Sequence, residues 1–193
     1  IIENLMGIKR TKGSIQRGKK PILINHLKAI VDVINKEKTE EIKKIRDKSI
    51  ILVGFGGGFR RTELISVDYE DLEFVPEGVK ITLRRSKTDQ FGEGMTKGLP
   101  YFSNETYCPV AHLKKWIKIS NIKDGPVFRR FAKGCSLTSN RLTDQSVVLL
   151  IKKYLALAGI ENKNYSGHSL RSGFATVSAE SGADERSIMA MTG

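Results

Sequence analysis

A chain of 193 residues, 39% hydrophobic and 28% charged, holds enough apolar material for one sizeable core and is too apolar to be a disordered segment. Its 33 Lys and Arg against 21 Asp and Glu leave a net charge of +12 and an isoelectric point near 9.7, a balance that favours a polyanionic partner. No apolar run approaches the ~18–20 residues of a membrane span and no basic-then-apolar leader opens the chain, so a cytoplasmic protein without membrane contact is expected.

In chain order, residues 1–20 carry Lys9, Arg10, Lys12, Arg17, Lys19 and Lys20 against the single acid Glu3, broken by Gly7, Gly13 and Gly18. This composition predicts a basic arm or interdomain linker that ends at Pro21, with a catalytic or binding domain over 21–193. Leu27, Ile30, Val31 and Ile34 then follow the spacing of one helix face. A charged stretch from Lys36 to Lys48 leads into Ile50-Ile51-Leu52-Val53, which predicts a buried second helix running into Gly54-Phe55-Gly56-Gly57-Gly58. Residues 71–102 change period: Leu72–Val75 and Val79–Leu83 predict two strands about a turn, and 98–102 a third. Helices resume at Pro109, with Val110, Leu113, Trp116 and Ile117 on one face. After a Thr143-Asp144 cap, Val147, Leu150, Ile151, Tyr154 and Leu157 form the next stripe, closed by Gly159. A last helix is expected from about His168 to Ser181. The sum is an α+β domain, mainly helical, with a small antiparallel sheet on one side.

The glycine run has the first two positions of GxGxxG but Phe59 at the third, and it follows a helix rather than a strand, so no nucleotide cradle is expected. Cys108 and Cys135 form no CxxC and read as reduced thiols; no metal site and no cofactor is expected. Three other segments carry chemistry. Arg60 and Glu63 in Gly58-Phe59-Arg60-Arg61-Thr62-Glu63-Leu64 are spaced to pair on one helix face. Lys87 lies in Arg84-Arg85-Ser86-Lys87-Thr88-Asp89-Gln90 between a strand and a glycine-rich turn. His168 and Arg171, three apart at a helix start, suit a phosphate, which free N–H groups and a guanidinium fork bind well.

Together GFRRTEL, SKTDQ and SGHSLRSGFAT, in this order, resemble the tyrosine recombinase (phage integrase) family over about residues 22–193. The Thr106-Tyr107-Cys108-Pro109-Val110 stretch, Gly125-Pro126-Val127-Phe128 and the closing Ile188–Gly193 add to the likeness. The resemblance implies that Arg60, Lys87, His168 and Arg171 are catalytic and that Glu63 braces the site. It implies metal-free strand exchange on double-stranded DNA through a 3′-phosphotyrosine, by a tetramer on DNA. Arg84, Arg85, Arg129, Arg130, Lys133 and Lys152 are candidates for holding the duplex by its phosphates. All five tyrosines (Tyr69, Tyr101, Tyr107, Tyr154 and Tyr165) precede His168, so the nucleophile is expected beyond Gly193, together with a second His or Trp. Two other readings share these features: a type IB topoisomerase, which relaxes supercoils without joining two sites, and a DNA-binding module that has lost catalysis.

Overall fold

The structure is a computed structural model that describes residues 19–84 and 94–192. Most of the basic arm, together with Arg85 and Lys87, therefore lies outside the described residues.

The first helix, α1 (Ile24–Lys36), buries Leu27, Ile30, Val31 and Ile34, the face that the spacing marks. The charged stretch and the apolar run after it form one helix, α2 (Glu41–Gly56). Three of its charged residues, Arg46, Asp47 and Lys48, are buried with the apolar run. Arg46 pairs with Asp47 at 2.7 Å, the Tyr154 hydroxyl donates to the other Asp47 oxygen at 2.7 Å, and Lys48 donates to Asn35 at 2.8 Å. Each buried charge thus has the partner that makes its burial tolerable.

A six-residue helix, α3 (Arg61–Ser66), precedes strands β1 (Leu72–Val75), β2 (Gly78–Leu83) and β3 (Met95–Pro100), joined antiparallel in chain order. Helix α4 (Pro109–Ser120) buries Val110, Leu113 and Trp116, and the Trp116 indole donates to the Val127 carbonyl at 2.8 Å. Beyond the expected sheet there is a second one, a two-stranded pair of β4 (Arg129–Phe131) and β5 (Leu137–Arg141). These strands are short and polar, with no alternation of apolar residues to announce them.

Helix α5 (Asp144–Leu157) turns Val147, Val148, Ile151, Tyr154 and Leu155 to the core. Leu157, expected in that stripe, is exposed: at 3.6 residues per turn it lies about a third of a turn round the helix from Ile151, which is in the middle of the buried face. Helix α6 (Ser169–Glu180) starts and stops where expected, and α7 (Glu185–Thr192) follows it.

The chain entering α1 is tied along the start of α6. The Lys20 amide donates to the Asn164 carbonyl at 2.7 Å and the Ile22 amide to the Ser169 carbonyl at 2.9 Å. Gly173 makes this closeness possible, because a Cβ there would lie 2.1 Å from the Ile22 carbonyl oxygen. Gly173→Ala should therefore cost roughly 1–3 kcal/mol, the usual range for overfilling a packed site, read as a lowered urea midpoint. An unchanged midpoint would mean that α6 and the entering chain are not in such contact.

Candidate active site

Three elements converge on the turn between α2 and α3. Gly58 has φ +55°, a left-handed conformation, and a Cβ there would meet the Phe174 ring at 2.8 Å. The turn therefore passes directly against α6, presenting its carbonyls to whatever lies beside them. The glycine here lets the backbone approach the protein's own helix.

Arg60 caps α3. Its amide donates to Glu63 Oε2 at 3.0 Å and its Nη1 to Glu63 Oε1 at 2.5 Å. An acid in the first turn that reaches back to the cap amide fits both the orphan N–H and the positive end of the helix dipole. The next residue faces elsewhere, since Arg61 pairs with Asp144 of α5 at 3.1 Å. Two adjacent arginines are thus divided between site and scaffold.

Arg171, one turn into α6, donates through Nη1 to the Gly58 carbonyl at 3.1 Å. Burial and the neighbouring positive charge of Arg60 hold its guanidinium below the usual arginine range. Arg60 and Arg171, 111 residues apart in sequence (171 − 60), therefore act on one region of space. His168 stands at the N-terminal cap of α6, exposed, with its imidazole outside any hydrogen bond among the described residues. Its backbone is fixed, as its carbonyl accepts from the Ser172 amide at 2.9 Å and from the Ser172 hydroxyl at 3.0 Å.

One member of the cluster was not anticipated. Lys97, in the middle of β3, is fully buried. Its Nζ donates to the Gly57 carbonyl at 3.1 Å, reaches the Gly58 carbonyl at 3.5 Å and the Met191 carbonyl, and lies 3.8 Å from Glu63 Oε2. Burial pushes its pKa down to about 8, against the pull of Glu63; the charges of Arg171 and Arg60 add to the lowering. A signal for it exists in the sequence. Lys97 and Leu99 share the inward face of a strand whose alternate residues point outward.

Among the described residues, then, Arg60, Glu63 and Arg171 come together with Lys97, three cations about one buried carboxylate. None of the five tyrosines is hydrogen-bonded to this cluster. Tyr154 is buried on Asp47, Tyr165 is buried beside His26, and Tyr101 accepts from Lys114. No group of three or more His, Cys, Asp or Glu side chains among the described residues is arranged to hold a metal ion.

The candidates for duplex contact divide. Arg84 is anchored to Asp71 at 2.7 Å and Asp68 at 3.6 Å, although its side chain stays 61% exposed. Arg129 is turned inward, with Nε on the Pro126 carbonyl at 2.9 Å and its side chain only 14% exposed. Arg130 and Lys133 are exposed on and beside β4, and Lys152 is half-buried on α5.

Residues 22–193 match the Phage integrase family, and the chain belongs to it. It is 44% identical over 188 residues to the integrase/recombinase XerD homolog of Selenomonas ruminantium, covering 97% of this chain and 54% of that protein. To the tyrosine recombinase XerA of Pyrococcus furiosus it is 29% identical over 175 residues, covering 90% of this chain and 53% of the other. The chain spans about half the length of the curated relatives it matches. Among solved structures, the XerH site-specific recombinase bound to difH substrate superimposes with a TM-score of 0.69 at 18% identity, over 90% of this chain and 47% of that one. The Tn1549 transposon integrase in complex with circular intermediate DNA gives 0.64 at 15% identity, over 89% and 56%. These likenesses establish the α+β fold. No helix of the described residues is long and apolar enough to cross a membrane.

Proposed function

We propose that this chain is the catalytic domain of a site-specific DNA recombinase, with residues 1–20 as its basic arm and the nucleophilic tyrosine supplied by the segment after Gly193. The observation that carries the reading is the convergence of Arg60 and Arg171 on the Gly58 turn, braced by Glu63. The tyrosine oxygen bonds to the scissile phosphorus, the bond from phosphorus to the 5′-oxygen breaks, and a 3′-phosphotyrosine remains. Charge builds on the non-bridging oxygens in the transition state, where two permanently charged guanidiniums are suited to receive it. His168 takes the phenol proton, and Lys87 gives a proton to the departing 5′-oxygen. A second DNA strand's 5′-hydroxyl then reverses the step. In this scheme the compensating charge comes from side chains, without a cofactor.

Arg84, Arg85, Arg130, Lys133 and Lys152 hold the duplex by its phosphates, with Arg129 supporting the hairpin that presents Arg130. A DNA partner is supported by the likeness to the Tn1549 transposon integrase, solved in complex with circular intermediate DNA; the full-length protein works as a tetramer on DNA in the cytoplasm.

The test is covalent capture. Random-sequence nicked duplexes are incubated with the full-length protein, and DNA bound through a denaturing wash is sequenced. A tyrosine-linked adduct on a recurrent sequence is expected; no adduct from any duplex would overturn the reading. Residues 1–193 alone should bind duplex DNA with an affinity that falls steeply with salt and should form no adduct. An adduct from this chain would place the nucleophile among its five tyrosines.

A further inference from the structure

The proposed mechanism makes no use of Lys97, yet it is one of the largest fully buried side chains. An ammonium has three N–H donors and no acceptor. Here it faces three main-chain carbonyls, those of Gly57, Gly58 and Met191. The first two belong to the α2–α3 turn. The third belongs to α7. Thr192 adds a second contact between the same elements, its methyl lying 3.2 Å from where a Gly58 Cβ would stand. A methionine or leucine would suit the inner face of β3 between Met95 and Leu99 at no desolvation cost. What a lysine adds is the ability to hold carbonyls.

We propose that Lys97 is a positioning residue for strand cleavage: it pins the C-terminal turn of α7 to the Gly57–Gly58 turn and so fixes where the segment after α7 meets Arg60 and Arg171. This rests on the recombinase reading, in which that segment delivers the tyrosine. Lys97 does not reach the phosphate, being fully buried; it acts through the backbone. It also sits on the strand that leads out of the segment bearing Lys87. One side chain therefore links strand β3, the arginine turn and the approach to the nucleophile.

The experiment compares full-length wild type, Lys97→Met and Lys97→Arg on a nicked duplex with either the natural 5′-oxygen or a bridging 5′-sulfur at the scissile bond. Sulfur departs as a thiolate and needs no proton donor. Lys97→Met is expected to slow adduct formation on the order of 10²-fold, as a misplacement of about 1 Å does. The same factor should appear with sulfur, duplex affinity should be unchanged, and Lys97→Arg should recover most of the rate. Hydrogen exchange of the amides of 188–192 should quicken in Lys97→Met while those of 30–34 stay protected. If the methionine variant does not fold, Lys97→Gln takes its place with the same readouts.

Wild-type cleavage by Lys97→Met would overturn the proposal. So would rescue by sulfur, which would make Lys97 a proton donor. If wild type itself forms no adduct, the recombinase reading falls, and the exchange measurement still decides the clamp: faster exchange at 188–192 upholds it, unchanged exchange removes it.

Discussion

Arg171→Ala in the full-length protein is expected to slow covalent adduct formation on the order of 10²–10³-fold, the usual loss when one preorganised donor to a transition-state charge is removed. Duplex binding should change little, because many phosphate contacts share that task and Arg171 is half-buried. The guanidinium is aimed by its bond to the Gly58 carbonyl, so shape as well as charge is at stake. Arg171→Lys keeps the charge and loses the planar fork, and it should recover only a small part of the rate. Arg60→Ala should behave as Arg171→Ala does. Single-turnover cleavage on a nicked duplex measures all three, and a normal rate in either alanine variant would remove that arginine from the active site.

Glu63→Gln should be the most damaging isosteric change in the folded protein, lowering its stability by about 3 kcal/mol or more. Glu63 is buried and is the carboxylate that both Arg60 and Lys97 pair with among the described residues. Glutamine keeps the shape but removes the negative charge that Arg60 and Lys97 share. A pH signature accompanies the loss. The Lys97 pKa of about 8 in the fold lies below its ordinary 10.5, so the unfolded chain holds that proton more tightly. Between those values the unfolded state binds more protons, and the contribution of Lys97 to stability rises with pH. Without Glu63 the folded pKa falls further, and the rise should begin at lower pH. Urea midpoints of both proteins, each compared with its Lys97→Met counterpart across about pH 7–9, measure it. Parallel curves would show that Glu63 does not support the charge on Lys97.

Much of this was legible in the residues. The faces of α1 and α4 follow from their spacing, as does the Arg60–Glu63 pair at the head of a helix. The first sheet follows from Leu72–Val75 and Val79–Leu83. What escaped is instructive for physical reasons. The β4–β5 pair lacks an apolar alternation because its outer face meets water and its strands are too short to show a period. Asp47 and Arg46 look like surface charges until Tyr154, more than a hundred residues on, supplies the hydroxyl that makes their burial tolerable. Lys97 looks like one more solvated charge among polar neighbours, although β3 begins at Met95 and gives its residues opposite faces. Its partners are carbonyls, which no sequence pattern displays. Val148 and Leu155 replace Leu157 on the buried side of α5, since a stripe three residues wide can be drawn at two angles through the same letters.

Helix α3 is six residues long, far shorter than a helix that would hold together by itself in water. Its existence depends on Leu64 and Ile65 being clasped by the core, on Arg61 being tethered to α5 and on Glu63 being tethered to Arg60. The string Gly58–Leu64 is consequently not a portable cassette. Transplanted into a foreign loop it would carry the right letters and none of the aim.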